Sequence, residues 1–221
     1  MRGAALFDWD GVVVDTSKLH ERSWEILAAR HRLPLPADHF LKGFGMRNEQ
    51  IIPDLLDWTW EPAEVSRLSL EKEAIFRELV VADGVVPLPG VEGWLDALAE
   101  AEVPAVVASS TQRANILCIL DLLGWRDRFL DLVTAEDVDR GKPDPEVFLS
   151  AAAKAGTDPS ACVVFEDAHV GIQAARAAGM RVIAVATTHP AWSLDAADRV
   201  VDRLDELAVE DWFPFRVLAG G

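Results

Sequence analysis

Hydrophobic and polar positions alternate along this chain in two regimes. From Val91 onward, short apolar runs follow amphipathic stretches with helical spacing. A helix over Val91–Ala101 leads to the apolar run Pro104–Ala108, and one over Arg113–Leu123 leads to Asp131–Thr134. A third, over Pro145–Ala155, leads to Cys162–Phe165, and a fourth, over Val170–Ala178, leads to Arg181–Val185. A last short run, Arg199–Val201, follows. Alternating helices and short apolar strands predict βαβ units around a parallel sheet buried on both faces.

The other regime lies upstream. One apolar strand, Ala4–Asp8, opens the chain, and helical periodicity with almost no strand character then runs from about Ser17 to Val81. Trp24, Leu27 and Ala28 fall at helical spacing, as do Ile51, Leu55 and Leu56. The turn-rich Val86-Pro87-Leu88-Pro89-Gly90 breaks the pattern. The first strand thus belongs with the later ones, and the helical stretch is an insertion between them. The expected fold is α/β: a Rossmann-like, doubly wound parallel sheet with an inserted helical cap. Residues 1–15 and 83–221 form the core and residues 16–82 the cap. In open parallel sheets ligands bind beyond the carboxyl ends of the strands, and an insert at that end acts as a lid.

The polar residues at those strand ends carry the chemistry. Leu6-Phe7 runs into Asp8-Trp9-Asp10-Gly11. Alternation along an extended chain puts Asp8 and Asp10 on one side, roughly 6.6 Å apart at about 3.3 Å per residue. Two carboxylates that close need a cation between them or a shared proton. Alone, such a segment is a strand ending in a turn. Three further segments change its meaning. Ser109-Ser110-Thr111 follows the run Val106-Val107-Ala108 and precedes a helix, which makes an anion site of hydroxyls and free N–H groups. Lys142 sits in Gly141-Lys142-Pro143-Asp144-Pro145, where the prolines hold the loop. Glu166-Asp167 ends the strand Cys162–Phe165. A buried acidic pair is costly without a cation, and with Asp8 and Asp10 it makes an all-oxygen set suited to Mg²⁺ rather than Zn²⁺.

Composition narrows the partners. The 221 residues allow one full core plus a smaller unit. With 21 Lys and Arg against 37 Asp and Glu, the net charge is −16, which argues against nucleic acid or an anionic membrane surface. No apolar run reaches a membrane span, and no signal peptide is expected. Cys118 and Cys162 show no metal spacing and are expected as free thiols in a reducing, cytoplasmic setting. The eight tryptophans, with no tyrosine, are expected mainly in packing roles. A monomer is the expected state.

These four segments, in this order, resemble the haloacid dehalogenase superfamily of phosphoryl-transfer enzymes over nearly the whole chain. The helical insert is similar to that of the subclass containing β-phosphoglucomutases and sugar-phosphate phosphatases. The resemblance implies Asp8 as nucleophile through an aspartyl-phosphate and Asp10 as general acid/base. It implies that Ser109 holds a phosphoryl oxygen and that Lys142 bridges Asp8 and that group. It implies Mg²⁺ held by Asp8, Asp167 and the Asp10 backbone carbonyl, with Glu166 as a further ligand. Asp15-Thr16-Ser17-Lys18-Leu19-His20 resembles the subclass's hinge and first cap helix, which makes Thr16 and His20 site residues. Arg47, after the glycine-rich Lys42-Gly43-Phe44-Gly45-Met46, is a candidate clamp for a substrate phosphate, and Lys72 matches a cap lysine. Ser110 and Arg113 complete the substrate-binding candidates. The segments Val164–Ala175 and Ser109–Arg113 look closer to the phosphatases, so the resemblance implies a phosphatase acting on a small-molecule phosphate ester, with a β-phosphoglucomutase as the alternative. Trp9 departs from the smaller apolar residue usual between the two aspartates. Lys42 is a Schiff-base candidate only in the event of a phosphonate hydrolase.

Overall fold

The computed structural model describes residues 3–43 and 46–213. Its centre is a six-stranded parallel sheet in the order β3-β2-β1-β4-β5-β6. The strands are β1 (Ala4–Phe7), β2 (Ala105–Ala108), β3 (Asp131–Val133), β4 (Cys162–Glu166), β5 (Arg181–Val185) and β6 (Arg199–Val201). Every strand that the hydrophobic pattern predicts is present, with ends shifted by a residue or so. In β1, Ala5 pairs with Ala105 on one side and Val163 on the other.

The two faces are covered by different helices, and the period of two decides which side chain goes where. Ala5 and Phe7 pack with Val107, Val163 and Phe165 against α5 (Val91–Glu100) and α6 (Arg113–Leu123). Ala4 and Leu6 pack with Val106 and Val164 against α7 (Glu146–Lys154) and α8 (His169–Ala177). Phe7 and Phe165 stack at 4.4 Å between ring centres. Both are fully buried, and each such side chain stabilises the fold by about 1.5–3 kcal/mol.

Between β1 and β2 lie the inserted helices α1 (Ser17–His31), α2 (His39–Gly43), α3 (Asn48–Gln50) with a wider turn over Ile51–Leu55, and α4 (Pro62–Asp83). They share an apolar cluster of their own, built on Trp24, Leu27, Ile51, Ile52, Leu56, Val65, Leu68 and Ile75. Phe44 and Gly45, in the middle of the glycine-rich turn, lie outside the described residues.

Trp9, Trp24, Trp94 and Trp125 are buried as expected, but Trp60 and Trp192 stand 67% and 82% exposed, so packing accounts for only part of the tryptophan content. Trp9 fits the core edge-on to Phe129. Cys118 and Cys162 are free, the first half-buried and the second buried. Among the described residues no helix is long and apolar enough to cross a membrane.

The strand order reverses direction between β1 and β4, which lie side by side at the centre. At such a switch point the connections leave on opposite faces and open a crevice at the carboxyl ends. Asp8 follows β1, and Glu166 and Asp167 end β4, so the acidic residues meet at that crevice.

Candidate active site

Asp8 is fixed by the sheet itself: its backbone N–H donates to the carbonyl of Phe165 at 2.9 Å. Beyond it the chain turns at Gly11, whose φ of +83° suits glycine, and a Cβ there would lie 1.9 Å from Asp167 Oδ2. Asp10, just before this turn, lies close enough to Asp8 to add to the negative field on it. The two are both nearly buried, each 9% exposed.

Lys142 Nζ joins the acidic groups. It donates to Asp8 Oδ1 at 2.8 Å and to Glu166 Oε1 at 2.5 Å. The other oxygen of Glu166 accepts the backbone N–H groups of Asp167 and Ala168, each at 2.8 Å. Gly171 makes room for this carboxylate, since a Cβ there would sit 1.8 Å from Glu166 Oε1. Asp167 Oδ2 accepts from the Thr188 hydroxyl, and its Oδ1 is buried with no hydrogen-bond partner. Carboxylate oxygens of Asp8, Glu166 and Asp167 lie within 4.8 Å of one another. An orphaned buried oxygen facing two more carboxylates is the signature of a cation site, and the all-oxygen set fits a hard divalent ion.

The electrostatics follow from that crowding. Burial pushes the Asp8 carboxyl up to about 7; Lys142 pulls it down, while Glu166 and Asp10 add to the rise. Burial, with Glu166 and Asp8 beside it, holds Asp167 well above the usual carboxylate range. Asp10 goes the other way. Burial raises it, but the charge and hydrogen bond of His20 outweigh this, helped by the Thr111 and Thr16 hydroxyls, and bring it to about 2.

Asp10 is held from three directions. Thr16 Oγ1 donates to Oδ1 at 2.5 Å, His20 Nε2 lies 3.3 Å from the same oxygen, and the Thr111 hydroxyl donates to Oδ2. Behind His20, Lys72 Nζ lies 2.6 Å from Nδ1, while Nε2 faces Asp10. Lys72 also pairs with Glu73 at 3.0 Å. Glu73 in turn accepts from Asn48 and Asn115, so the insert is bonded to α6 of the core. His20 stacks on Phe76, their ring centres 3.9 Å apart.

A cavity of about 280 Å³ brings together Asp8, Asp10, His20, Arg47, Lys72, Ser109, Ser110, Lys142, Glu166 and Asp167. It is also lined by Trp24, His39, Phe40, Met46 and Ile51 from the insert. Ser109 is buried and its Oγ accepts the N–H of Thr111 at 3.1 Å, which leaves its own proton free to point into the cavity. Thr16 stands behind Asp10 rather than on the cavity wall.

Two substrate-binding candidates have other settings. Arg113 is turned from the cavity: its guanidinium pairs with Asp137 at 2.6 Å and donates to the Leu132 carbonyl at 3.1 Å. Helix α6 begins at this residue, and its side chain follows the outer edge of β3. Arg47 lines the cavity, but its guanidinium donates to the carbonyls of Val138 at 2.9 Å and Asp139 at 3.4 Å. Lys42 is an exposed partner of Asp38 at 2.6 Å, far from the role of an imine-forming lysine.

Thr188, Glu73, Asn48 and Asn115 are site residues that motif reasoning missed. Thr187-Thr188 follows β5 as Ser109-Ser110-Thr111 follows β2, so the same strand-end pattern was there to find. Glu73, Asn48 and Asn115 carry no such signal, because their meeting depends on how the insert packs on α6.

The chain is 38% identical over 210 residues to the chloroplastic 5-amino-6-(5-phospho-D-ribitylamino)uracil phosphatase of Arabidopsis thaliana. That match takes in 94% of this chain but only 56% of the plant protein, so the chain spans little more than half of that relative. It is 33% identical to the validoxylamine A 7'-phosphate phosphatase of Streptomyces hygroscopicus subsp. limoneus, over 94% of this chain and 96% of the other. The crystal structure of β-phosphoglucomutase from Clostridium difficile superposes with a TM-score of 0.84 at 26% identity, covering 96% of this chain and 95% of that one. The model of the haloacid dehalogenase-like hydrolases matches residues 3–179, and the chain belongs to that family.

Proposed function

We propose that the protein is a Mg²⁺-dependent phosphatase that hydrolyses small phosphorylated metabolites, sugar phosphates among them, through a phosphorylated Asp8. The observation that carries this is the meeting of Asp8, Lys142, Glu166 and Asp167 at the switch point with Asp10 beside them. Phosphoryl transfer asks a protein mainly to position groups and balance charge. Asp8, Asp167 and the Asp10 carbonyl would hold Mg²⁺, with Glu166 beside them. Bound there, the ion would neutralise charge on the phosphoryl oxygens and keep Asp8 ionised.

Asp8 then attacks phosphorus through one carboxylate oxygen as the ester P–O bond breaks. Lys142 stabilises both the attacking carboxylate and the phosphoryl group, and the Ser109 hydroxyl donates to a phosphoryl oxygen. The leaving oxygen takes a proton from Asp10. Because Asp10 is held near 2, it rests ionised; it takes up the proton it passes on from water once substrate is bound, and His20 Nε2 lies beside it at 3.3 Å. In the second step Asp10, again ionised, takes a proton from water as the water oxygen attacks the acyl phosphate. Inorganic phosphate leaves and Asp8 is restored. The inserted helices act as the cap that closes over this chemistry.

The test is phosphate release from p-nitrophenyl phosphate with Mg²⁺ and with EDTA, for the wild type and Asp8→Asn. Release that needs Mg²⁺ and Asp8 supports the assignment. Equal release in both proteins, or none in either, removes it. The likeness to a solved β-phosphoglucomutase keeps a mutase as the second reading. Glucose 6-phosphate formed from β-glucose 1-phosphate and a trace of the 1,6-bisphosphate, without free phosphate, would favour it.

A further inference from the structure

We infer that His39 is a specificity-determining residue, whose Nε2 accepts a hydrogen bond from a hydroxyl of the substrate's leaving group. This rests on the phosphatase assignment and adds a residue to its recognition of a sugar or polyol.

Among the described residues, four buried side-chain nitrogen or oxygen atoms have no hydrogen-bond partner: Trp9 Nε1, His39 Nε2, Arg47 Nε and Asp167 Oδ1. Such atoms are rare in folded proteins, and each asks for a cause. Three of the four belong to residues that line the cavity. Asp167 Oδ1 has the cation site to answer for it. His39 and Arg47 come from the insert, one on α2 and the other just before α3.

His39 is 5% exposed, and one of its ring nitrogens is already committed. Nδ1 lies 2.8 Å from the carbonyl of Pro36. A carbonyl only accepts, so the proton of this bond is on Nδ1, and in the neutral ring Nε2 is left as a bare lone pair. A buried acceptor without a donor is a standing cost, which a ligand that brings the donor removes. The lysines of the cavity wall are held by carboxylates, Lys72 by Glu73 and Lys142 by Asp8 and Glu166. The donor therefore comes with the ligand. Trp24, Met46 and Ile51 line the same cavity with apolar surface, on which the carbons of a sugar ring can rest. Arg47 Nε can only donate, so it serves an anion and a hydroxyl alike. His39 Nε2 serves a donor, which a polyol carries and the aryl ring of p-nitrophenyl phosphate lacks.

The test compares phosphate release in Mg²⁺ from p-nitrophenyl phosphate, fructose 1-phosphate and glucitol 6-phosphate for the wild type, His39→Phe and His39→Gln. In His39→Phe the ratio of sugar or polyol kcat/KM to aryl kcat/KM falls by about tenfold or more, mainly through KM. His39→Gln, whose side-chain oxygen is an acceptor, recovers part of that ratio. Neither variant keeps Nδ1, so a difference between the two reports the acceptor and not the bond to Pro36. A second readout needs no turnover: in Asp8→Asn protein the nitrogen NMR signal of His39 Nε2 moves when fructose 1-phosphate is added to saturation. Should neither His39 variant fold, that signal alone decides. The inference is overturned if the ratio in His39→Phe stays within about twofold of the wild type, or if the Nε2 signal does not move. Absence of Mg²⁺-dependent release from all three substrates in the wild type would instead remove the phosphatase assignment, with the nitrogen signal still judging His39.

Discussion

Replacing Lys142 by Met removes a charge while nearly preserving the stem. Nζ is buried and bridges Asp8 at 2.8 Å and Glu166 at 2.5 Å, with Asp167 also in the cluster. At an effective dielectric of about 20, two carboxylate charges about 5 Å apart repel by about 3 kcal/mol. Lys142 is the Lys or Arg side chain that offsets this repulsion in the absence of a divalent ion. Breaking a buried pair from one side costs about 3–5 kcal/mol. For a chain of this length that is roughly 6–20 °C in melting temperature. Part of the loss returns below neutrality, because protonating Asp8 or Asp167 relieves the same repulsion. Asp8, already at about 7 with the lysine present, moves higher without it, so a smaller share is ionised and able to attack. Hydrolysis of p-nitrophenyl phosphate in Lys142→Met should fall by about 10²–10³-fold. Thermal melts at pH 5 and pH 7.5, in EDTA, together with initial rates in Mg²⁺, make the assay. A variant that melts like the wild type at pH 7.5 and keeps its rate within a factor of about ten would refute the role given to this ammonium group.

Three further outcomes follow from the site. Asp10 titrates near 2 in the fold against an ordinary 3.8, so its contribution is complete above about pH 4 and is lost as pH falls toward 2, about 2 kcal/mol in all; urea titrations between pH 5 and pH 2.5 should show this slope in the wild type and not in Asp10→Asn. Asp167 is held above its ordinary range by burial, Glu166 and Asp8, so stability in EDTA should fall as pH rises toward neutrality; Asp167→Asn should melt higher than the wild type in EDTA at pH 7.5, yet lose the upward shift of about 5–10 °C that saturating Mg²⁺ gives the wild type. Glu73→Ala strands the Lys72 ammonium and the Asn48 and Asn115 amides, and should cost about 3–5 kcal/mol in denaturant titration, whereas a loss under about 1 kcal/mol would mean the network carries little stability.

The alternation of apolar runs and helical stretches determined the parallel sheet, since a strand buried on both faces has to be apolar throughout and a crossover helix has to bury one side. The polar residues that end those strands were equally legible, because they sit at fixed chemical breaks in apolar runs: Asp8, Ser109, Glu166 and Asp167 each follow one. Their convergence with Lys142 depends only on the strand order that such a pattern favours. Other features were out of reach of any local pattern. Asp10 is held in part by Thr111, 101 positions away in the chain. Arg47 and Arg113 look alike in sequence as phosphate-binding candidates, yet one guanidinium meets backbone carbonyls across the crevice and the other meets Asp137. The Glu73 network joins residues of three separate helices. A long flexible cation takes whichever partner the packed chain brings within reach, and that partner is a property of tertiary distance. A short carboxylate at a strand end has its position set by the backbone, which is why the sequence alone could place it.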